Sequence, residues 1–530
     1  MKNLILTLVA VLITISINAQ TTFQKTYGGT AMDEAKSVKQ TFDGGYIIVG
    51  TTTSFGAGGR DVLVIKTNAV GDTLWTKTLG GAIDNEYGYC VQQTLDSGYI
   101  VSGVAFSFND VSGDVYVVKL AANGDIVWTR TYGGLGYEWG AYIQQTSDGG
   151  YIIAGQTPAF GAGGFDAYLI KIHANGDLLW AKTYGGSGLE IGSAVQQTTD
   201  GGYILTGQVD TYGAGSGDFY LLKTDAAGNA IWSKAYGLSG TEAGIAVRQT
   251  TDGGYIIAGT SENALGPLGA DMCLIKTDVL GEILWAKLYG GTLIDECYDV
   301  IQTEDGGYAM CGKSFSFSTS GDYDVYMVKV NAQGIMQWSK TFGDSGNATK
   351  NEIGNSIFQT TDKGYIIGGE AMFSFGVGLK NAYLIKTDSL GVSGCYEGNP
   401  NTITSTLLPQ QNSFTSLVAT GGGMNIPNTI VGNGTTPSNL CINIVNAIQE
   451  VPISQVQTYP NPVGDNLHLR FNAISNQTKV VEVFDSTGKL LISQKTISNL
   501  LINTENLSRG IYFIKITEEN TTQSIKFIKQ

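Results

Sequence analysis

Apolar positions along this chain fall in short runs bounded by Gly and Asp rather than in long helical stripes. Around residue 250, "GIAVRQT" (244–250) and "YIIAGT" (255–260) flank Asp252-Gly253-Gly254. This is a tight hairpin signal, because the turn needs a positive φ that Gly adopts at little cost. "DMCLIKTD" (271–278) reads as a third strand, and "DVLGE" (278–282) turns it into a fourth, "ILWAKLYGG" (283–291), which carries Trp285. The wording recurs. Gln40, Gln93, Gln145, Gln197, Gln249, Gln302 and Gln359 each stand six residues before Tyr46, Tyr99, Tyr151, Tyr203, Tyr255, Tyr308 and Tyr365, giving seven copies 52 to 57 residues apart. A single small sheet cannot bury both faces alone, so several-stranded units repeating at roughly 40 to 50 residues predict a β-propeller.

The phase of the repeat matters as much as its count. Fourth-strand copies begin at Phe23, Trp75, Trp128, Trp180, Trp232, Trp285 and Trp338, so the chain opens with a fourth strand that has no first three before it. At the other end, "NAYLIKTDSLGVSGCYEGN" (381–399) completes a third strand and puts Cys395 where Trp would stand. The predicted fold class is therefore all-β. A seven-bladed β-propeller over 20–395, closed by its N-terminal strand, is followed by a Ser/Thr/Asn/Gly-rich linker over 396–452 and a small C-terminal β-sandwich over 453–530. In the closure, "TTFQKTYGG" (21–29) completes the blade begun at 352–387, with Phe23–Tyr27 pairing Tyr383–Lys386 and no exposed edge left at the joint.

The unit, written YGG…DE…VQQT.DGGYII.G…D.YLIKTD..G…W, resembles bacterial β-propeller repeats, and its strand phase is similar to that of NHL-type propellers. The resemblance covers residues 21–395 and implies that the "VQQT" strand is innermost and the Trp strand outermost. It implies no particular activity, since propellers host unrelated functions.

The C-terminal residues Tyr459-Pro460-Asn461-Pro462, the Asp485-to-Gly488 turn before Lys489 and Leu490, Gly510-Ile511-Tyr512, and Lys526-Phe527-Ile528-Lys529 occur in that order. They resemble the type A C-terminal sorting domain of the type IX secretion system. The resemblance implies partnership with that machinery, passage through the outer membrane, and removal of the tail with release or surface attachment. The other end supports the same route. "MKNLILTLVAVLITISINAQ" has Lys2, an apolar run from Leu4 to Ile17 and a small-residue site ending at Ala19, which is a signal-peptide pattern over 1–19. That run is too short for a comfortable membrane span, so no integral span is expected after cleavage. The expected location is secreted or on the outer cell surface.

Composition narrows the partners. With 31 Lys+Arg against 46 Asp+Glu the formal net charge is -15, and an acidic surface repels nucleic acid. Six cysteines are few for an exported chain. Cys90, Cys273, Cys297 and Cys311 sit within repeated strands and read as buried apolar residues; Cys395 and Cys441 are the one pair expected to bridge.

Few residues combine into a recognisable chemical site. Gly307 to Ser314 formally fits a phosphate-binding loop, but the same stretch in the first copy, Gly45 to Thr52, is a strand with no following helix. The Asp-x-x-Gly-x-x-x-Trp wording, as in Asp225 to Trp232 and Asp278 to Trp285, resembles the tryptophan-docking repeats of quinoprotein propellers. Packing of Trp between blades accounts for it, and no cofactor is expected. His173 and His468, the only histidines, have no partners for zinc, so no metal site is expected.

Glu34, Glu86, Glu138, Glu190, Glu242, Glu296 and Glu352 each precede an inner strand and would ring one mouth of the central channel. They would bind a cation or, more simply, accept backbone N–H groups or pair with Lys25, Lys77, Arg130, Lys182, Lys234, Lys287 and Lys340. Phe55, Phe106, Phe160, Tyr212, Phe315 and Phe375 lie in the loops between second and third strands, as a candidate ligand-binding rim or as plugs between blades. No catalytic residue stands out. The function expected is a surface or secreted binding or adhesion protein for an extracellular glycan or protein; the alternative is a hydrolase or lyase acting on polysaccharide, which needs a distinct carboxylate pair.

Overall fold

The computed structural model describes residues 20–529, except 109–111, 239, 263–268, 319–320, 345–349, 376–377, 415, 421–422, 426–429, 433–435, 445–455, 460–462, 472–477, 486–488 and 519–520. The expected signal peptide lies outside the described residues. Every element described is a β-strand. Residues Gln20–Ile444 form one compact unit, and Val445–Gln530 belong to a second.

The larger unit contains seven antiparallel sheets of five strands each. In one of them Glu242–Gln249, Tyr255–Glu262, Ala270–Thr277 and Ile283–Gly290 lie side by side in chain order. The middle strands are buried on both faces, as in Tyr46–Thr52 and Asp61–Thr67, so each sheet needs a neighbour on either side. Seven hydrophobic clusters supply this burial, each shared between consecutive sheets. The cluster holding Phe23, Tyr27, Val38, Tyr46, Ile366 and Leu384 joins the last sheet to the first.

The repeated residues are what fasten sheet to sheet. Each Gln of the repeat accepts, through its side-chain carbonyl, the N–H of the preceding unit's hairpin turn: Phe42 to Gln93, Ser147 to Gln197, Thr199 to Gln249. The last turn returns to the first Gln, with Thr361 N–H donating to Gln40 at 2.8 Å. Each fourth-strand Trp stands edge-on to the next unit's Tyr, as Trp180 does to Tyr203 at 6.0 Å. It also fills the space over a turn glycine with φ near +80°, so a Cβ on Gly228 would sit 2.8 Å from the Trp180 ring.

The N-terminal strand Thr21–Gly28 pairs with Lys380–Thr387 as expected, with Phe23 opposite Lys386 and Tyr27 opposite Ala382. Phe23 takes the Trp place, 6.1 Å from Tyr46. Cys90, Cys273, Cys297 and Cys311 are free and buried. Cys395 is disulfide-bonded, in keeping with the expected bridge; the side chain of Cys441 lies outside what is described.

The segment expected as a linker is instead a strap that is largely strand. It retraces the sheets in reverse chain order, laying Glu397–Gly398, Ile403–Thr406, Gln410–Phe414, Leu417–Thr420, Gly423–Asn425, Ile430–Gly432 and Thr436–Ile444 along the seven fourth strands in turn. The fourth strand would otherwise be an open edge, and pairing with these strands covers it. Ser416 reaches the buried Tyr220 hydroxyl at 2.7 Å, and Leu407 packs into the core between two sheets.

In the smaller unit Val456–Tyr459, Asn466–Phe471 and Leu500–Asn503 form one antiparallel sheet, and Leu490–Thr496, Lys479–Asp485, Gly510–Glu518 and Thr521–Lys529 another. Leu467, Leu469, Val481, Val483, Ile514 and Phe527 build its core. Of the sorting-motif residues, Pro460, Asn461, Pro462 and the Tyr459 side chain lie outside the described residues. Gly510 pairs with Lys529, Tyr512 stacks on Phe527 at 5.5 Å, and the Lys529 ammonium donates to the Gly464 carbonyl at 2.6 Å.

Candidate functional site

The seven expected channel-mouth carboxylates do not share one place. Glu86, Glu138, Glu190, Glu242 and Glu352 are fully buried, at 0% exposure. In the first and sixth sheets the register puts Asp33 opposite Thr52 and Asp295 opposite Ser314, where the second sheet pairs Glu86 with Ala105. The equivalents are therefore Asp33 and Asp295, and Glu34 and Glu296 point to the other face. Glycine N–H groups donate to Asp33, Glu86, Glu190 and Asp295 at 2.7 Å. The ring of channel-mouth carboxylates is thus corrected to a set of buried turn braces, because the first side chain of each inner strand points between sheets. The Lys and Arg of the fourth strands do not pair with these groups: Lys25, Lys77, Arg130 and Lys234 reach Asp72, Asp125, Asp177 and Glu282 of the following turn.

Six of the seven braces face a third-strand carboxylate across a glycine. A Cβ on Gly185 would lie 2.1 Å from Asp166 Oδ1 and 2.5 Å from Glu190 Oε2; Gly80 stands likewise between Asp61 and Glu86. Burial, then the neighbouring glutamate, pushes Asp61 and Asp166 up to about 6. Burial also lifts Asp218 and Asp324 to about 6 and Glu352 to about 8. At the junction of last and first sheets Asn381 replaces the aspartate, beside Asp33 and Gly28.

The rim aromatics are mainly plugs. Phe375 is 7% exposed and packs on Tyr383 at 5.6 Å, Phe160 packs on Tyr168, and Tyr212 lies against the core between two sheets. Phe55 closes over Gly29. In the second and sixth sheets Phe108 and Phe317 take this role, against Tyr116 and Tyr326. Phe315 then turns to Tyr323, and Phe106 lies between Tyr87 and Tyr137 at 6.2 and 5.7 Å.

The seven first strands converge on one cavity of about 530 Å³. Every one of them carries a β-bulge at the same place, such as Ala35/Ser37, Gly88/Cys90 and Cys297/Asp299. The extra residue of the bulge turns inward. These residues are Lys36, Tyr89, Ala141, Ser193, Ile245, Tyr298 and Asn355, and all seven line the cavity. Two positions earlier stand Glu34, Tyr87, Trp139 and Ile191 in the first four strands, lining it as well.

One wall is aromatic: Tyr87 stacks parallel to Tyr89 at 6.4 Å, and Tyr89 meets Trp139 at 5.1 Å. Another is an ion network, Glu34 to Lys36 and Lys380 at 3.0 Å, and Glu370 to the same lysines at 3.4 and 3.2 Å. Although burial raises the Glu34 pKa, the two lysines hold it at about 2. At the floor Asp299 binds Arg248 at 2.8 Å, and a second cavity of about 290 Å³ begins beyond Lys39 and Tyr142, which line both. Of these residues only Glu34 is among the expected site residues. The signal for the others lay in the columns where the seven copies disagree. Among the described residues no group of three or more metal-ligating side chains occurs.

Residues 457–530 match the family model described as the secretion system C-terminal sorting domain. The chain is thereby exported through the type IX machinery and is secreted or held at the outer cell surface. Among the described residues no helix is long and apolar enough to cross a membrane. No curated protein matches this chain. Solved structures similar to parts of it include Sqt1 from Chaetomium thermophilum, at 9% identity and TM-score 0.38 over 68% of this chain and 86% of that one. Another is a protein of unknown function from Dyadobacter fermentans DSM 18053, at 10% identity and TM-score 0.34 over 70% and 99%. The extracellular domain of the putative one component system BT4673 from B. thetaiotaomicron matches at 9% identity and TM-score 0.18 over 94% and 73%.

Proposed function

We propose that the chain is an exported seven-bladed β-propeller, residues 20–444 with its strap, that binds an extracellular glycan in the cavity between its inner strands. The signal peptide over 1–19 and the sorting domain over 453–530 deliver it. The cyclic shape is supported by the seven sheets, the core shared by last and first, and the Thr361 to Gln40 bond.

One observation carries the binding role. The fastening residues are the same in nearly every copy, whereas the bulge residue is Lys, Tyr, Ala, Ser, Ile, Tyr and Asn in turn. A scaffold that repeats everywhere except at its inward side chains suits recognition of an asymmetric ligand. Tyr87, Tyr89 and Trp139 offer ring faces for a sugar, with Ser193 and the Asn355 side-chain carbonyl lining the same cavity near its hydroxyls. The two carboxylates that line the cavity, Glu34 and Asp299, are both locked in ion pairs, which favours binding over hydrolysis.

A glycan array probed with the wild type and with Trp139→Ala, beside a polysaccharide degradation screen, tests this reading. Binding that Trp139→Ala weakens, with no turnover, is the expected result. Turnover of a bound polysaccharide moves the assignment to an enzyme, and wild-type silence on every glycan ends it.

A further inference from the structure

The charges in the cavity are unevenly matched. Four charged side chains line it: Glu34, Lys36, Lys39 and Asp299. Glu34 and Lys36 are tied into the network with Lys380 and Glu370. Asp299 is held by Arg248 at 2.8 Å and by the Ile357 N–H at 3.1 Å. Lys39 has no carboxylate within ion-pair distance among the described residues, and its ammonium lies 5.7 Å from the centre of the Phe358 ring. It stands at the floor, lining the cavities on both sides. In the second, third and fourth strands this position holds Gln92, Gln144 and Gln196, so a cation here is not a demand of the fold.

Burial lowers the Lys39 pKa against the opposing pull of Asp299, as expected of an ammonium short of counter-charge. Above it, the Trp139 indole N–H is buried and meets no acceptor among the described residues. The site thus offers a cation but no free anion, although the chain as a whole is acidic at -15. A neutral sugar would leave the ammonium unmatched, whereas an anionic group supplies a charge-assisted bond in a partly dry place.

Resting on the reading of the cavity as a glycan site, we propose that its ligand is an acidic saccharide whose carboxylate or sulfate group pairs with Lys39 while a sugar ring lies against Tyr89 and Trp139.

The test is calorimetric titration of the full chain with matched neutral, uronate and sulfated oligosaccharides, repeated for Lys39→Gln, Lys39→Arg and Trp139→Ala. Acidic ligands should bind at least tenfold tighter than neutral ones, and the uronate and sulfate arms tell the two anions apart. Lys39→Gln should erase that preference, Lys39→Arg should retain most of it, and Trp139→Ala should weaken every ligand. Because Gln is the residue neighbouring strands carry here, the Gln variant should fold normally, which its thermal midpoint checks. Equal binding of neutral and acidic ligands, or a preference that survives Lys39→Gln, overturns the inference while the glycan reading stands. No binding of any saccharide removes both.

Discussion

The junction that joins the last sheet to the first differs from the six between consecutive sheets in two side chains. Phe23 stands where the others have Trp, and Asn381 where they have Asp. The remaining fasteners are kept: Tyr27 donates to the Gly71 carbonyl at 2.6 Å as Tyr184 does to Gly228, and Thr361 donates to Gln40 as Ser147 does to Gln197. The comparison separates what a junction needs from what it tolerates. The Gln latch and filled volume are common to all seven; indole bulk, the second carboxyl and the Tyr hydroxyl, which Leu79 and Phe342 replace, are not. An amide standing for one of two facing carboxyls leaves that junction without the charge repulsion that helps push Asp61 and Asp166 up to about 6.

Removing the closing strand has the largest expected effect. Deleting residues 20–30 removes the fully buried Phe23 and Tyr27, leaves Lys380–Thr387 paired on one side alone and takes from Thr436–Ile444 the strand it lies along. Two such side chains together contribute about 6 kcal/mol or more, comparable with the whole stability of a typical domain. The expected outcome is loss of a single cooperative thermal transition and rapid proteolysis throughout 31–444. A deletion variant that melts within a few degrees of the wild type would mean that the seventh junction contributes nothing.

Next in size is truncation of the docking ring itself. Phe23 is 0% exposed, whereas Trp180 is only partly buried against its cluster. Phe23→Ala should therefore cost about 3 to 5 kcal/mol and Trp180→Ala less, despite the larger ring lost. Chemical denaturation of both variants checks the order; the reverse order would make ring size rather than burial the determinant.

The carboxyl pairs set a smaller, pH-dependent effect. Asp61, Asp166, Asp218 and Asp324 are raised to about 6 in the folded chain, so it binds more protons than the unfolded chain between roughly pH 4 and 6. Their contribution is present below the ordinary aspartate value and is lost as pH rises through about 6; for Glu352 the loss extends to about 8. Stability should thus fall from pH 5 to pH 8. Asp166→Asn copies the closing junction and should recover on the order of 1 kcal/mol at pH 8 while changing little at pH 4. Thermal midpoints at the two values test it, and equal midpoint shifts at both would remove the raised Asp166 pKa from the account.

Much of this organisation is legible in the chain and some is not, for physical reasons. Gln, Tyr, Trp and Gly of the repeat announce themselves because each serves the same local contact in nearly every copy, and the phase of those copies already pairs the stretch Phe23–Tyr27 with Tyr383–Lys386. The acidic positions mislead because "DE" occurs at 33–34 as well as 295–296, and a slip of one residue along a strand moves a side chain to the opposite face. The strap is hidden because its strands are as short as Glu397–Gly398 and pair with strands far off in the chain, so turn chemistry alone shows only a polar segment. The cavity is visible only in the disagreement among copies. Uniform residues such as the glutamates draw attention first, yet they serve the scaffold; Lys39, Tyr89 and Trp139 stand out only once the bulge shows which positions face inward.

The finest test of the comparison lies in the Gln latches. Gln40 accepts from Thr361 N–H and donates to the Gly44 carbonyl at 3.3 Å; Gln197 accepts from Ser147 N–H and donates to the Gly201 carbonyl, also at 3.3 Å. With matched partners at the water-exposed end of each strand, Gln40→Ala and Gln197→Ala should each cost about 0.5 to 1 kcal/mol and differ by less than that. Their local consequences should differ. Ser147 and Gln197 lie 50 residues apart in neighbouring copies, whereas Thr361 and Gln40 are 321 apart and bridge the two ends of the array. Releasing the second latch frees an end that no short connection restrains, so amide exchange in Thr21–Gly28 should quicken in Gln40→Ala and not in Gln197→Ala. Equal exchange in the two variants would show that the Thr21–Gly28 strand is held by its neighbours Lys380–Thr387 and Thr436–Ile444 alone, and that the closing latch adds nothing to them.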